Sequence, residues 1–199
     1  MAEKTDRTYA LSLLRESLGF PEAEFRPGQW EVIDRLVNMQ KRILCVQRTG
    51  WGKSWVYFLA TRLLRDKGRG PTVIISPLLA LMRNQIDAAH RLGVTAMSIN
   101  STNRSEWPTL TQTILNDQTD TLLISPERLA NDDFVNEVLL PVSKRVGLLV
   151  IDEAHCISDW GHDFRPDYRR LIHILQYLPS NMPVLGTTAT ANNRVLDDL

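Results

Sequence analysis

Two short stretches hold the residue types and spacings that could do chemistry. In TGWGKS (49–54), Gly50 and Gly52 allow a tight turn with exposed backbone N–H groups, and Lys53 adds a mobile positive charge. The stretch follows an apolar run and precedes a helical pattern, so the positive end of a helix would face whatever the turn holds. That combination suits a phosphate, with the Ser54 hydroxyl placed to coordinate Mg²⁺. In GLLVIDEAH (147–155), Asp152 and Glu153 stand at the end of a buried apolar run. Asp152 is the candidate for holding Mg²⁺, and Glu153 the candidate for polarising a water that attacks a γ-phosphate. The competing reading of the first stretch, a glycine-rich turn with an exposed lysine, is the weaker one in its strand–turn–helix setting, whereas the second alone reads equally as acids opening a helix. Together they read as a nucleoside triphosphatase with Lys53, Asp152 and Glu153 as its catalytic set.

The acids run directly into HCISDWGHDFRPDY (155–168). Trp160, Phe164 and Tyr168 offer flat faces for unstacked bases, while Arg165, Arg169 and Arg170 can meet phosphate or stack on bases. The competing reading returns these aromatics to a core and leaves Arg169 and Arg170 on a solvated face, and for Tyr168 the two stand level. His155, Cys156, Asp159 and His162 lack a recognised zinc spacing, so no zinc site is expected. His155 fits better as a relay between the acids and the loop.

These residues need a scaffold, and the remaining pattern supplies one. Short, continuous apolar runs at 42–47, 72–76, 95–99, 121–125, 147–152 and 183–189 read as strands buried on both faces of a mostly parallel sheet. Helical patterns lie between them at 54–65, 79–92, 105–115, 133–139 and 168–178, with two more at 7–18 and 28–38 ahead of the first strand. The expectation is an α/β sandwich with helices on both faces and right-handed crossovers. Ligands in such folds collect at the carboxyl ends of the strands, where both chemical stretches fall. The 199 residues allow one sizeable core, read as a single domain over 1–199 with residues 1–40 as N-terminal helices. Zero net charge excludes a globally basic nucleic-acid binder, so such binding needs a local patch. Cys45 and Cys156 both adjoin apolar segments and read as reduced and inert, which with no signal-like start or membrane-length apolar run predicts a cytoplasmic protein.

Read in order, the segments resemble the first RecA-like motor domain of a RecQ-type DNA helicase of superfamily 2. FRPGQ (25–29) is similar to the adenine-recognition motif, TGWGKS to motif I, SPLLALMRNQ (76–85) to motif Ia and SPERL (125–129) to the segment after the next strand. DEAH (152–155) is similar to motif II, TTATA (187–191) to motif III, and CISDWGHDFRPDY (156–168) to the family's aromatic-rich loop. The resemblance spans residues 18–191 and implies a RecA-like P-loop fold, ATP and Mg²⁺ as cofactors, and DNA as partner, with nucleoid association when on DNA. It implies that Gln29 reads the adenine edge while Arg26 and Phe20 pack on the base. Thr49, Gly50, Trp51, Gly52, Lys53, Ser54 and Trp55 would surround the phosphates. It further implies that Ser76, Pro77, Gln85 and Ser101 lie near the nucleic-acid backbone. His155, Trp160, His162, Phe164 and Arg165 would sense single-stranded DNA, and Thr188 and Thr190 would couple nucleotide state to motion.

Three departures suggest an outlying, bacterial RecQ-like branch. The spacing from Phe20 to Arg26 is about two residues long for the family. Gln47–Arg48 stands where Met–Pro is common, and Trp51 replaces a glycine, tolerable if its side chain faces away from phosphate. The resemblance also implies a second RecA-like domain, for which the chain has no room, so this length alone is expected to bind nucleotide weakly and not to unwind. A 3′-to-5′ direction is implied by the resemblance only. An RNA helicase, a translocase that does not separate strands, and a nucleotide-gated binding domain without turnover remain open alternatives.

Overall fold

The computed structural model describes residues 4–77, 79–99, 104–157, 171 and 174–190. Six strands, β1 (Arg42–Val46), β2 (Thr72–Ile75), β3 (Ala96–Ile99), β4 (Thr121–Ile124), β5 (Leu148–Asp152) and β6 (Val184–Thr188), form one sheet in the order β1-β6-β5-β2-β4-β3. Every pairing is parallel. β2, β4 and β5 are buried along their whole length, as their uninterrupted apolar sequences require.

Alternate residues of these strands feed two separate cores. Ile74, Leu123, Leu148 and Val150 pack on one face with residues of α1 (Arg7–Leu18), α2 (Gln29–Val37), α3 (Lys53–Asp66) and α4 (Leu79–Arg91). Val73, Ile75, Leu122, Ile124, Leu149 and Ile151 pack on the other face. There they meet α5 (Trp107–Leu115), α6 (Asp132–Phe134) and α7 (Leu140–Ser143). The period of two along each strand thus divides the side chains between two helical layers.

The helix expected over 133–139 is longer and interrupted: α6 passes through a π-helical turn (Val135–Leu139) into α7, whose first turn holds Pro141. A proline has no N–H to give a carbonyl four residues back, and a widened turn absorbs its ring. Of the helix expected over 168–178, Leu171, Ile174 and Leu178 are buried in the second core.

Strand order fixes what meets at the carboxyl edge. β6 lies between β1 and β5, and its register sets Thr187 beside Asp152 and Thr188 beside Val46. The phosphate-loop stretch after β1 and the acids ending β5 therefore flank the end of β6.

Candidate nucleotide site

The loop between β1 and α3 turns through Gly50 and Gly52, both in the left-handed region at φ +83° and +98°. Glycine occupies this region without strain. α3 opens at Lys53 with no side-chain cap, so its first N–H groups face the loop as an anion site. Lys53 Nζ donates to the Gln47 carbonyl at 2.8 Å.

The segment before α2 is bonded to this loop. The Arg26 guanidinium donates to the Gly50 carbonyl. Gln29 Oε1 accepts from the Arg26 backbone N–H at 2.9 Å, and Nε2 donates to the Trp51 carbonyl at 2.9 Å. These two bonds set which way the Gln29 amide points, and its inventory leaves one N–H and one lone pair to spare. Trp51 turns into the protein, 8% exposed, and its indole N–H donates to the Pro27 carbonyl at 3.2 Å.

Across the cleft, both Asp152 oxygens are held from neighbouring strands: Thr187 donates to Oδ1 at 2.7 Å and Ser76 to Oδ2 at 3.3 Å. The Ser76 side chain is fully buried, and its hydroxyl serves the acid. Glu153 sits at φ +52°, a left-handed conformation that costs an L-residue about 1–2 kcal/mol and breaks the strand immediately after Asp152.

His155 Nδ1 lies 2.8 Å from Thr188 Oγ1 and 3.3 Å from Glu153 Oε2. Thr188 spends its own proton on the Thr190 carbonyl at 2.8 Å. With Thr188 spending its proton on Thr190, the proton between Thr188 and His155 comes from Nδ1–H, and a Glu153 carboxylate oxygen lies near the same nitrogen. The Gln47 N–H donates to the Thr188 carbonyl at 2.9 Å. A path of hydrogen bonds therefore runs from Lys53 through Gln47 and Thr188 to His155, whose Nδ1 stands 3.3 Å from Glu153 Oε2. Below it, burial pushes the Tyr57 hydroxyl well above the usual tyrosine range, and the Asp152 carboxylate adds to the shift.

A cleft of about 520 Å³ joins these parts, a volume within the usual range for small-molecule sites. Arg26, Gln29, Thr49, Gly50, Trp51, Gly52, Lys53, Ser54, Trp55, Asp152 and Glu153 all border it. Ser54 and Asp152 both border this cleft, and their side-chain oxygens are a donor set that suits a hard divalent cation. Among the described residues no cluster of three or more His, Cys, Asp or Glu could hold a metal ion.

Phe20 is 57% exposed and does not border the cleft, whereas Leu14 and Leu18 do. Gln85, expected near the nucleic-acid backbone, is 7% exposed and lies on the cleft wall with Ala88. Sequence reading missed Leu14, Leu18, Glu24 and Ala88, because an i, i+4 leucine pair on a helix reads as core. Pro77 follows β2 and is half-buried. Ser101, Trp160, His162, Phe164, Arg165, Tyr168, Arg169 and Arg170 lie outside the described residues.

Comparison with known proteins agrees with this geometry. The DEAD/DEAH box helicase family model matches residues 26–199. The chain is 37% identical over 191 residues to the ATP-dependent DNA helicase RecQ of Bacillus subtilis (strain 168), covering 96% of this chain and 31% of that protein. It is 37% identical over 195 residues to the RecQ helicase of Haemophilus influenzae, covering 98% and 30%. The chain thus spans under a third of the length of these relatives. The Pyrococcus furiosus Hef helicase domain superposes with a TM-score of 0.65 at 18% identity, over 87% of this chain and 36% of that one, a likeness of fold. The chain belongs to the DEAD/DEAH box helicase family, as a RecQ-type motor domain of superfamily 2.

Proposed function

We propose that this chain is the ATP-binding half of a DNA-dependent ATPase and helicase that moves 3′ to 5′ and separates strands. The observation that carries the reading is a single cleft bordered by an oriented Gln29 amide, the Lys53–Ser54 helix start and the Asp152–Glu153 pair. In this reading the free N–H and lone pair of Gln29 meet the adenine edge, with Leu14 and Leu18 beneath the base. The α3 N-terminus and Lys53, released from Gln47, hold the phosphates. Ser54 and Asp152 would hold magnesium, which when bound supplies charge neutralisation on the phosphates.

Glu153 draws a proton from the attacking water, and the His155 Nδ1–H keeps its carboxylate oriented. Because His155 also bonds Thr188, a shift of the loop after it (Trp160, His162, Phe164 and Arg165) on binding single-stranded DNA would reach Glu153. A second RecA-like domain completes the phosphate clamp, so this length alone binds nucleotide weakly and turns over slowly.

The test is ATP hydrolysis by the full-length protein with and without single-stranded DNA, beside a Glu153→Gln variant. DNA-stimulated turnover that falls about 100-fold or more in the variant is the expected outcome. ATP binding without turnover in every sample overturns the reading in favour of a nucleotide-gated binding domain.

A further inference from the structure

The side chain in the middle of the phosphate loop is the unexpected element of this site. A tryptophan between two left-handed glycines has every reason to point at solvent, yet Trp51 is 8% exposed. Its indole N–H reaches the Pro27 carbonyl at 3.2 Å, and its ring covers Gly28, where an added Cβ would stand 3.7 Å from Cζ2. The Trp51 carbonyl is held by Gln29 at 2.9 Å, and the neighbouring Gly50 carbonyl by Arg26. Two side chains of the Arg26–Gln29 segment therefore hold carbonyls of the phosphate loop, and one side chain of the loop holds a carbonyl of that segment.

We propose that Trp51 is a positioning residue that holds the phosphate loop in its anion-binding shape before any nucleotide arrives, by pinning it to the adenine-recognition segment. This rests on the nucleotide reading of the cleft. The physical argument concerns populations. A loop hinged on two glycines samples many conformations, and ligand affinity falls by the fraction of time the competent one is absent. Burying a large, two-torsion side chain and satisfying its N–H removes most of those alternatives. The indole is spent on Pro27 and Gly28 within the protein, so its effect on the loop should be felt equally by any ligand that needs the loop, with or without a base.

The chain is compared as wild type, Trp51→Phe and Trp51→Ala. ATP and inorganic tripolyphosphate, each with magnesium, are titrated by calorimetry, and hydrogen exchange of residues 49–53 is followed without ligand. Trp51→Ala is expected to weaken both ligands by the same factor, about tenfold if the competent loop falls to roughly a tenth of the population. Trp51→Phe keeps the packing but loses the N–H bond and is expected to fall between, with exchange over residues 49–53 faster in both.

Unchanged affinities and unchanged local exchange in Trp51→Phe or Trp51→Ala, with only a lower melting temperature, overturn the proposal and leave a packing residue. Weakening confined to ATP also overturns it, because Trp51 would then act through the base. A wild type that binds neither ligand sinks the nucleotide reading instead, and ligand-free exchange still decides whether Trp51 orders the loop.

Discussion

At the scale of single residues, the site is governed by which atoms already have partners. Gln29 is oriented by its bonds to Arg26 and Trp51, and Gly52 makes room for it. A Cβ on Gly52 would lie 2.7 Å from Gln29 Nε2, on a backbone at φ +98° that L side chains rarely adopt. Gly52→Ala is therefore expected to displace the Gln29 amide and weaken ATP binding about tenfold or more, a loss of at least about 1.4 kcal/mol, measured with a fluorescent nucleotide. The glycines were legible as a phosphate turn from TGWGKS alone. That Gly52 also clears space for Gln29 was not, because the contact joins residues 23 positions apart. Cys45 was read as inert, and the structure supplies the cause: burial pushes its thiol up, while the Lys53 ammonium pulls weakly the other way.

At the scale of elements, the edge of the sheet opposite the site is held by a clip between α3, β3 and β4. Asp120 accepts from the Thr95 backbone N–H and hydroxyl, both at 2.8 Å, and from Arg65 Nε at 2.7 Å. Burial alone would raise its carboxyl, but the Thr95 and Arg65 hydrogen bonds outweigh that and hold it below the usual aspartate range. A depressed carboxylate contributes stability above its unfolded pKa, near 3.9, and that contribution is lost as pH falls through the lower folded value. Asp120→Asn is expected to cost about 1–2 kcal/mol at pH 7, roughly 2–8 °C in melting temperature. The gap to wild type should close as pH drops below about 4, which thermal melts across a pH series would show. Strand and helix positions were legible because their apolar periods are strong. The clip was not, since Thr95 and Asp120 are ordinary polar residues until the register of β3 on β4 brings them together.

At the scale of the whole molecule, the parallel pairing of β2 with β5 depends on two glycines that carry no motif. Gly147 N–H donates to the Pro71 carbonyl at 2.9 Å, bringing the two strand entries into backbone contact. A Cβ on Gly70 would sit 1.5 Å from the Arg145 carbonyl oxygen, and one on Gly147 would sit 2.4 Å from that of Gly70. Neither obstacle is a flexible side chain, so the strand entries themselves would have to part. Gly147→Ala and Gly70→Ala are each expected to cost about 3 kcal/mol or more, roughly 6–12 °C in melting temperature. Because Ser76, just after β2, braces the Asp152 that ends β5 on the cleft, the loss should also lower ATP affinity in whatever fraction stays folded.

The sequence by itself determined the α/β class, the strand and helix order and the family, because these rest on local periodicity and on contiguous motifs read along the chain. It also determined that Lys53, Ser54, Asp152 and Glu153 share one edge, since a parallel sheet sends every strand's carboxyl end the same way. Only the tertiary structure decided that Ser76 braces Asp152, that Leu18 and not Phe20 borders the cleft, and that Trp51 turns inward onto Pro27. Those outcomes depend on strand register, on how α1 packs beside the phosphate loop and on one side-chain rotation. Each is set by contacts between residues far apart in the chain, which no short stretch of it encodes.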